Sequence, residues 1–165
     1  MGATWKKGRG KLGLLQPLLG RWEAEADSPM GPLRCTRVFE SVLGGAYVRL
    51  EARWVFGAKA RKAMPKKYAC QGSGYEEFAL IGVGDDGKVA FWSFTSDGKR
   101  SSGWAADVTD LHPEAVGFEA QMPSGFARMA YWPDGAGGCR WVVESRTKKG
   151  WKRFVEHRYR KVKQR

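Results

Sequence analysis

The sequence predicts an all-β chain: a single up-and-down antiparallel barrel of about ten strands, preceded by a short N-terminal helix. Three observations predict it. Clusters of Gly, Pro, Asp and Ser recur every ten to fifteen residues or so. The runs between them alternate apolar and polar side chains, the period of a half-buried strand. The composition adds eight Trp, eight Phe and five Tyr to 22 Gly in 165 residues, which favours pleated strands and tight turns over helices.

The elements follow in order. Residues 1–11 read as a basic flexible tail carrying Lys6, Lys7, Arg9 and Lys11, and residues 12–165 as one barrel domain. Residues 12–19 form a short helix plugging one barrel end, weakened by Gly13 and Pro17. Strands are expected over residues 20–26 and 33–40. The clearest strand is 46–56, where Ala46, Val48, Leu50, Ala52, Trp54 and Phe56 share one face. A long basic loop, 57–74, is placed over the barrel mouth. Strands 75–83, 88–95 and 100–108 are separated by Gly84-Asp85-Asp86-Gly87 and Ser96-Asp97-Gly98-Lys99, strong hairpin signals because glycine accepts a positive φ. Strands 115–121, 126–132, 139–146 and 151–162 complete the set. Short links force antiparallel neighbours, and closure removes the two exposed edges an open sheet would keep.

Charge and cysteine content narrow the function classes. The net charge is +12, but the excess lies in residues 6–11, 59–67 and 148–165, the pattern of solvated ends and loops. Nucleic acid is therefore not expected as a partner. The apolar stretch 12–19 is too short and broken for a leader or a membrane span, so a cytoplasmic location is expected. Cys35, Cys70 and Cys139 are odd in number and far apart, which argues for free thiols. No phosphate loop, dinucleotide fingerprint, Gly-x-Ser-x-Gly elbow or His-Glu-x-x-His occurs.

Leu19-Gly20-Arg21-Trp22 resembles the Gly-x-Trp opening of lipocalin-like (calycin) barrels. Val42-Leu43-Gly44-Gly45-Ala46-Tyr47-Val48, Tyr75 to Gly82, Phe91 to Gly98 and Tyr159-Arg160-Lys161 follow in the order seen in a bacterial family of uncharacterised lipocalin-like proteins. That resemblance implies a calycin barrel over about residues 18–162, and no assigned function. It also implies an arginine from the last strand, Arg158 or Arg160, lying on the Trp22 ring. A more distant likeness is to the nitrobindins, which bind haem through a histidine on the last strand. His157 stands there, although Gly20 to Glu25 departs from their glycine-rich opening.

The candidate binding residues are Trp22, Trp54, Glu77, Phe91, Trp104, Phe118, Arg128 and Tyr159, with His157 the iron ligand if haem is bound. Val155, His157 and Tyr159 share one face. Arg37, Arg49, Glu51, Glu144 and Glu156 are assigned to the wet face. Arg128 and Glu77 stand among apolar neighbours, where a buried pair is either a structural ion pair or a means of recognising a polar ligand head. No catalytic residue is assigned. The leading expectation is non-enzymatic binding of a small apolar or amphipathic molecule in the lumen, by a monomer or homodimer. The alternatives are a haem barrel using His157, or a cofactor-free enzyme with a buried Glu or Tyr as acid or base.

Overall fold

A computed structural model of the chain describes residues 5–28, 31–58, 62 and 74–163. It holds ten antiparallel strands: β1 (Gly20–Ser28), β2 (Gly31–Val42), β3 (Tyr47–Phe56), β4 (Gly74–Val83), β5 (Val89–Thr95), β6 (Arg100–Ala106), β7 (Val116–Met122), β8 (Gly125–Pro133), β9 (Gly138–Thr147) and β10 (Gly150–Val162). Each pairs with its sequence neighbour, and β10 returns to β1 through Arg21↔Val162 and Trp22↔Lys161, which closes the barrel. All ten expected strands form. The helix expected over 12–19 is a 3-10 helix, Lys11–Leu18, with Pro17 inside it. The basic loop proposed as a cover for the mouth, the first four residues and Cys70 lie largely or wholly outside the described residues.

Turn chemistry sets the hairpins. Between β5 and β6, Asp97 Oδ1 takes the Lys99 N–H while Gly98 sits at φ +80°, a conformation costly for any residue with a Cβ. Gly103 on β6 has a different reason: a side chain there would run into the Phe91 ring and the Glu119 carbonyl. β6 stops at Ala106 because Asp107 turns the chain, its carboxylate accepting from both the N–H and the hydroxyl of Thr109.

The two ends of the barrel differ. The 3-10 helix closes the end where β1 begins, burying Leu15 and Leu18 completely. Trp22 seals the same end, buried and donating its indole N–H to the Leu18 carbonyl at 2.6 Å. The cation on that ring is Lys161, 5.1 Å from the centroid, and not Arg158 or Arg160. The alternation explains the correction: Trp22 pairs with Lys161, so the two share a face at this end, where Lys161 reaches solvent, while Arg158 turns outward to Asp134. Trp5 packs on this end as well, donating its indole N–H to the Glu114 carbonyl. At the opposite end, among the described residues, the inward side chains Ala26, Trp54, Phe56, Tyr75, Met122, Met129, Val143 and Val155 are only half-buried. The barrel thus has a sealed floor and, among the described residues, a less tightly covered opposite end.

A second, smaller core lies outside the wall. Residues 107–115, between β6 and β7, fold back over β8 and β9 and bury Val108, Ala115, Ala130, Trp132 and Val142. That is why β8 carries apolar residues on both faces. His112 stacks on Trp132 at 11° between planes.

Candidate functional site

The barrel's interior is polar at mid-depth, and its centre is Arg37. On β2 the residues Leu33, Cys35, Arg37 and Phe39 alternate inward, so Arg37 enters the lumen and is 1 % exposed. Its assignment to the wet face is corrected by this register, which pairs it with Ala52 of β3 and Trp22 of β1. Its Nη1 donates to the Tyr131 hydroxyl at 2.9 Å and its Nε to the Tyr159 hydroxyl at 3.2 Å. The guanidinium lies 3.9 Å from the Trp141 ring centroid and 5.2 Å from that of Trp54. Cation–π contact of this kind is worth roughly 2 kcal/mol when desolvated. Among the described residues, two buried donors in this layer have no partner, Arg37 Nη2 and Trp141 Nε1.

Around this centre the alternation brings Trp54, Glu77, Phe91, Phe118, His157 and Tyr159 to the lumen, and it decides for Phe91 over Trp92, between which the sequence pattern did not choose. Phe91 and Phe118 meet edge to face at 5.8 Å near the floor. Glu77 is half-buried and accepts from the Ser93 hydroxyl at 2.7 Å. His157 lies 5.2 Å from Trp141, its Nδ1 facing the Tyr159 hydroxyl at 3.4 Å. Burial, with the Arg37 charge added, drives its pKa down to about 4, so the ring is neutral at physiological pH. Burial pushes the Tyr159 hydroxyl up to about 12 and the Cys35 thiol beside it up to about 11.

Two candidates point elsewhere. Trp104 stands on the outer wall, 39 % exposed and edge to face with Phe126. Arg128 is buried, but on the outer face beneath residues 107–115. It makes a bidentate pair with Asp110 at 2.9 and 2.8 Å, bonds Glu144 at 2.8 Å, and sits 4.4 Å from the Trp151 ring. It has no contact with Glu77, so the expected Arg–Glu pair across the lumen is replaced by this external one. Glu144 is buried with it, and Arg153 adds a third bond at 3.1 Å. Arg153 is held outside by a bulge at Phe154, which lets Val155, His157 and Tyr159 turn inward on the same strand.

Arg37, Tyr131 and Ser93 are the luminal polar residues the sequence reading missed. The period-two run Leu33, Cys35, Arg37, Phe39 carried the signal for the first. Among the described residues no three His, Cys, Asp or Glu side chains gather to hold a metal ion, and no helix is long and apolar enough to cross a membrane. A groove of about 710 Å³ runs along the outer wall past Arg34, Arg53, Phe78 and Phe94, but those arginines already pair with Glu25 and Glu76. No protein-family model matches the chain, and no curated protein matches it.

Proposed function

We propose that this protein binds a small amphipathic molecule in its lumen, without converting it. The observation that carries this reading is the gradient of the interior. Half-buried apolar side chains line the mouth, a sealed apolar floor lies beneath, and hydrogen-bonding groups occupy the layer between. Such a site supplies affinity through its walls and orientation through a few polar groups. The titratable groups support binding over catalysis. An imidazole near 4 and a phenol near 12 both lie far from neutrality, where neither works well as a general base or acid. Kinship with the calycin barrels, suggested by Gly20-Arg21-Trp22, fits the same reading.

The test is a titration with Nile red, a neutral probe that brightens in apolar surroundings. Saturable one-to-one binding is expected, weakened at least tenfold by Met129→Glu, which places a charge among the mouth residues. Binding that ignores this substitution would place the probe outside the lumen and sink the proposal. A second reading, haem held by His157, is favoured by one observation: a neutral imidazole directed inward from the last strand. Haem would supply redox or gas-binding chemistry at its iron. Titration with haemin decides it, since a Soret shift absent from His157→Ala is required.

A further inference from the structure

We infer that the luminal ligand carries a carboxylate head, received by the free Nη2 of Arg37 and the indole N–H of Trp141. The inference rests on the luminal-binding reading above and adds the chemistry of the head group.

Arg37 is the only arginine among the described residues that is buried and has no carboxylate within ion-pair distance; Arg128, the other buried arginine, has two. A guanidinium stays charged at any physiological pH. Removing it from water is costly unless an anion or a full set of hydrogen bonds compensates. Here two phenols and two indole faces do part of that work, and Nη2 is left over. Trp141 Nε1 is left over in the same layer, its ring stacked on the same guanidinium. The hydroxyl of Tyr131 accepts from Arg37, and among the described residues no acceptor receives its own proton. Neither nearby acceptor reaches these two donors: the neutral His157 ring turns its Nδ1 to Tyr159, and the Glu77 carboxylate is engaged elsewhere. Glu77 bonds Ser93 instead, so it acts on Arg37 through space only.

Two unpartnered donors beside one fixed positive charge match a small monoanion. A carboxylate is planar, offers two oxygens and suits the flat fork of a guanidinium. A phosphate monoester dianion would bring three terminal oxygens and two charges to a site with one cation. The aliphatic part of the molecule would then lie toward the mouth, along Met129, Val143 and Val155. Trp54, half-buried and on the mouth side of Arg37, stands in the path, so the head reaches Nη2 by turning that ring aside.

The experiment compares decanoate, 1-decanol and decyltrimethylammonium by displacement of Nile red from the full chain. Wild-type protein is expected to prefer decanoate over decanol by roughly tenfold or more, the usual scale of a charge-assisted hydrogen bond. Arg37→Met should abolish the preference while decanol affinity stays within about twofold. Trp141→Phe keeps an aromatic face, though a smaller one, removes the N–H, and should lose part of the preference. It also preserves the test if Arg37→Met does not fold. Glu77→Gln should strengthen decanoate binding, because it removes the nearest competing negative charge. Equal binding of decanoate and decanol in the wild type overturns the head-group inference alone. Failure of every probe, Nile red included, overturns the luminal reading with it.

Discussion

Arg37 and Arg128 are both buried, yet they serve opposite ends. Arg128 lies outside the wall, is 5 % exposed, and is met by Asp110, Glu144 and the Trp151 ring. Every charge in that node has an opposite neighbour, so the node is complete in itself. It fastens residues 107–115 to β8 and β9. Arg37, inside the wall, is 1 % exposed and is met by two phenols and by aromatic faces. Its node is incomplete. The contrast teaches that burial of a charge does not by itself mark a functional site. What distinguishes the two is whether the chain supplies the counter-charge.

The sharpest way to break this comparison is to remove the outer arginine. Arg128→Met leaves Glu144 buried and Asp110 without its partner, and truncating one member of a buried pair costs about 4 kcal/mol. Urea unfolding of the variant measures it; a loss near zero would mean the outer node contributes no more than a surface pair.

The next effect comes from acid. His157 is held near 4, whereas the unfolded chain titrates it at its ordinary 6.5, so the unfolded state binds more protons between those values. Stability is therefore full above about pH 6.5 and falls as the pH drops toward 4, by roughly 3 kcal/mol at most. His157→Gln should flatten that window in thermal scans across pH. An unchanged slope would show the imidazole to be better hydrated than its surroundings suggest.

Arg37→Met is expected to change the stability of the ligand-free protein by only about 1 kcal/mol, since lost cation–π and hydrogen-bond contacts are offset by the removal of an unpaired buried charge. A loss as large as that for Arg128→Met would make Arg37 a structural residue and erase the comparison. Smallest of all is Asp110→Asn. Asp110 is 58 % exposed on its side chain, so its pair with Arg128 is screened, and a loss below about 1 kcal/mol is expected. Circular dichroism melts resolve it against Arg128→Met. Equal losses in the two variants would shift the weight of the node from Glu144 to Asp110.

Legibility followed how local each signal was. The ten strands were plain from alternation and turn residues, because both are set by the backbone over a few residues. Closure followed from short links and the cost of open edges. The placements of His157, Tyr159, Trp54 and Phe118 inward were readable from period two alone. So was that of Arg37, whose run with Leu33, Cys35 and Phe39 is unbroken; the charge disguised it, because a charged residue in a strand usually faces water. By contrast, β8 alternates two apolar faces, Met129 and Tyr131 against Ala130 and Trp132, and nothing local says which is the inside. Only the fold-back of residues 107–115 over Ala130 and Trp132 decides it, and this carries Arg128 outside. Trp104 is the simpler case of an aromatic left on the outer wall.

The sequence by itself determined the number, order and pairing of the strands, because hydrophobic period and turn chemistry are short-range properties. Tertiary structure alone decided which polar groups share the lumen and which are left without partners. Tyr131, Trp141 and Tyr159 are 94 to 122 residues from Arg37 along the chain and meet it only once the barrel closes. Whether a buried charge is satisfied is a property of that closed ring of neighbours, and no stretch of sequence contains it.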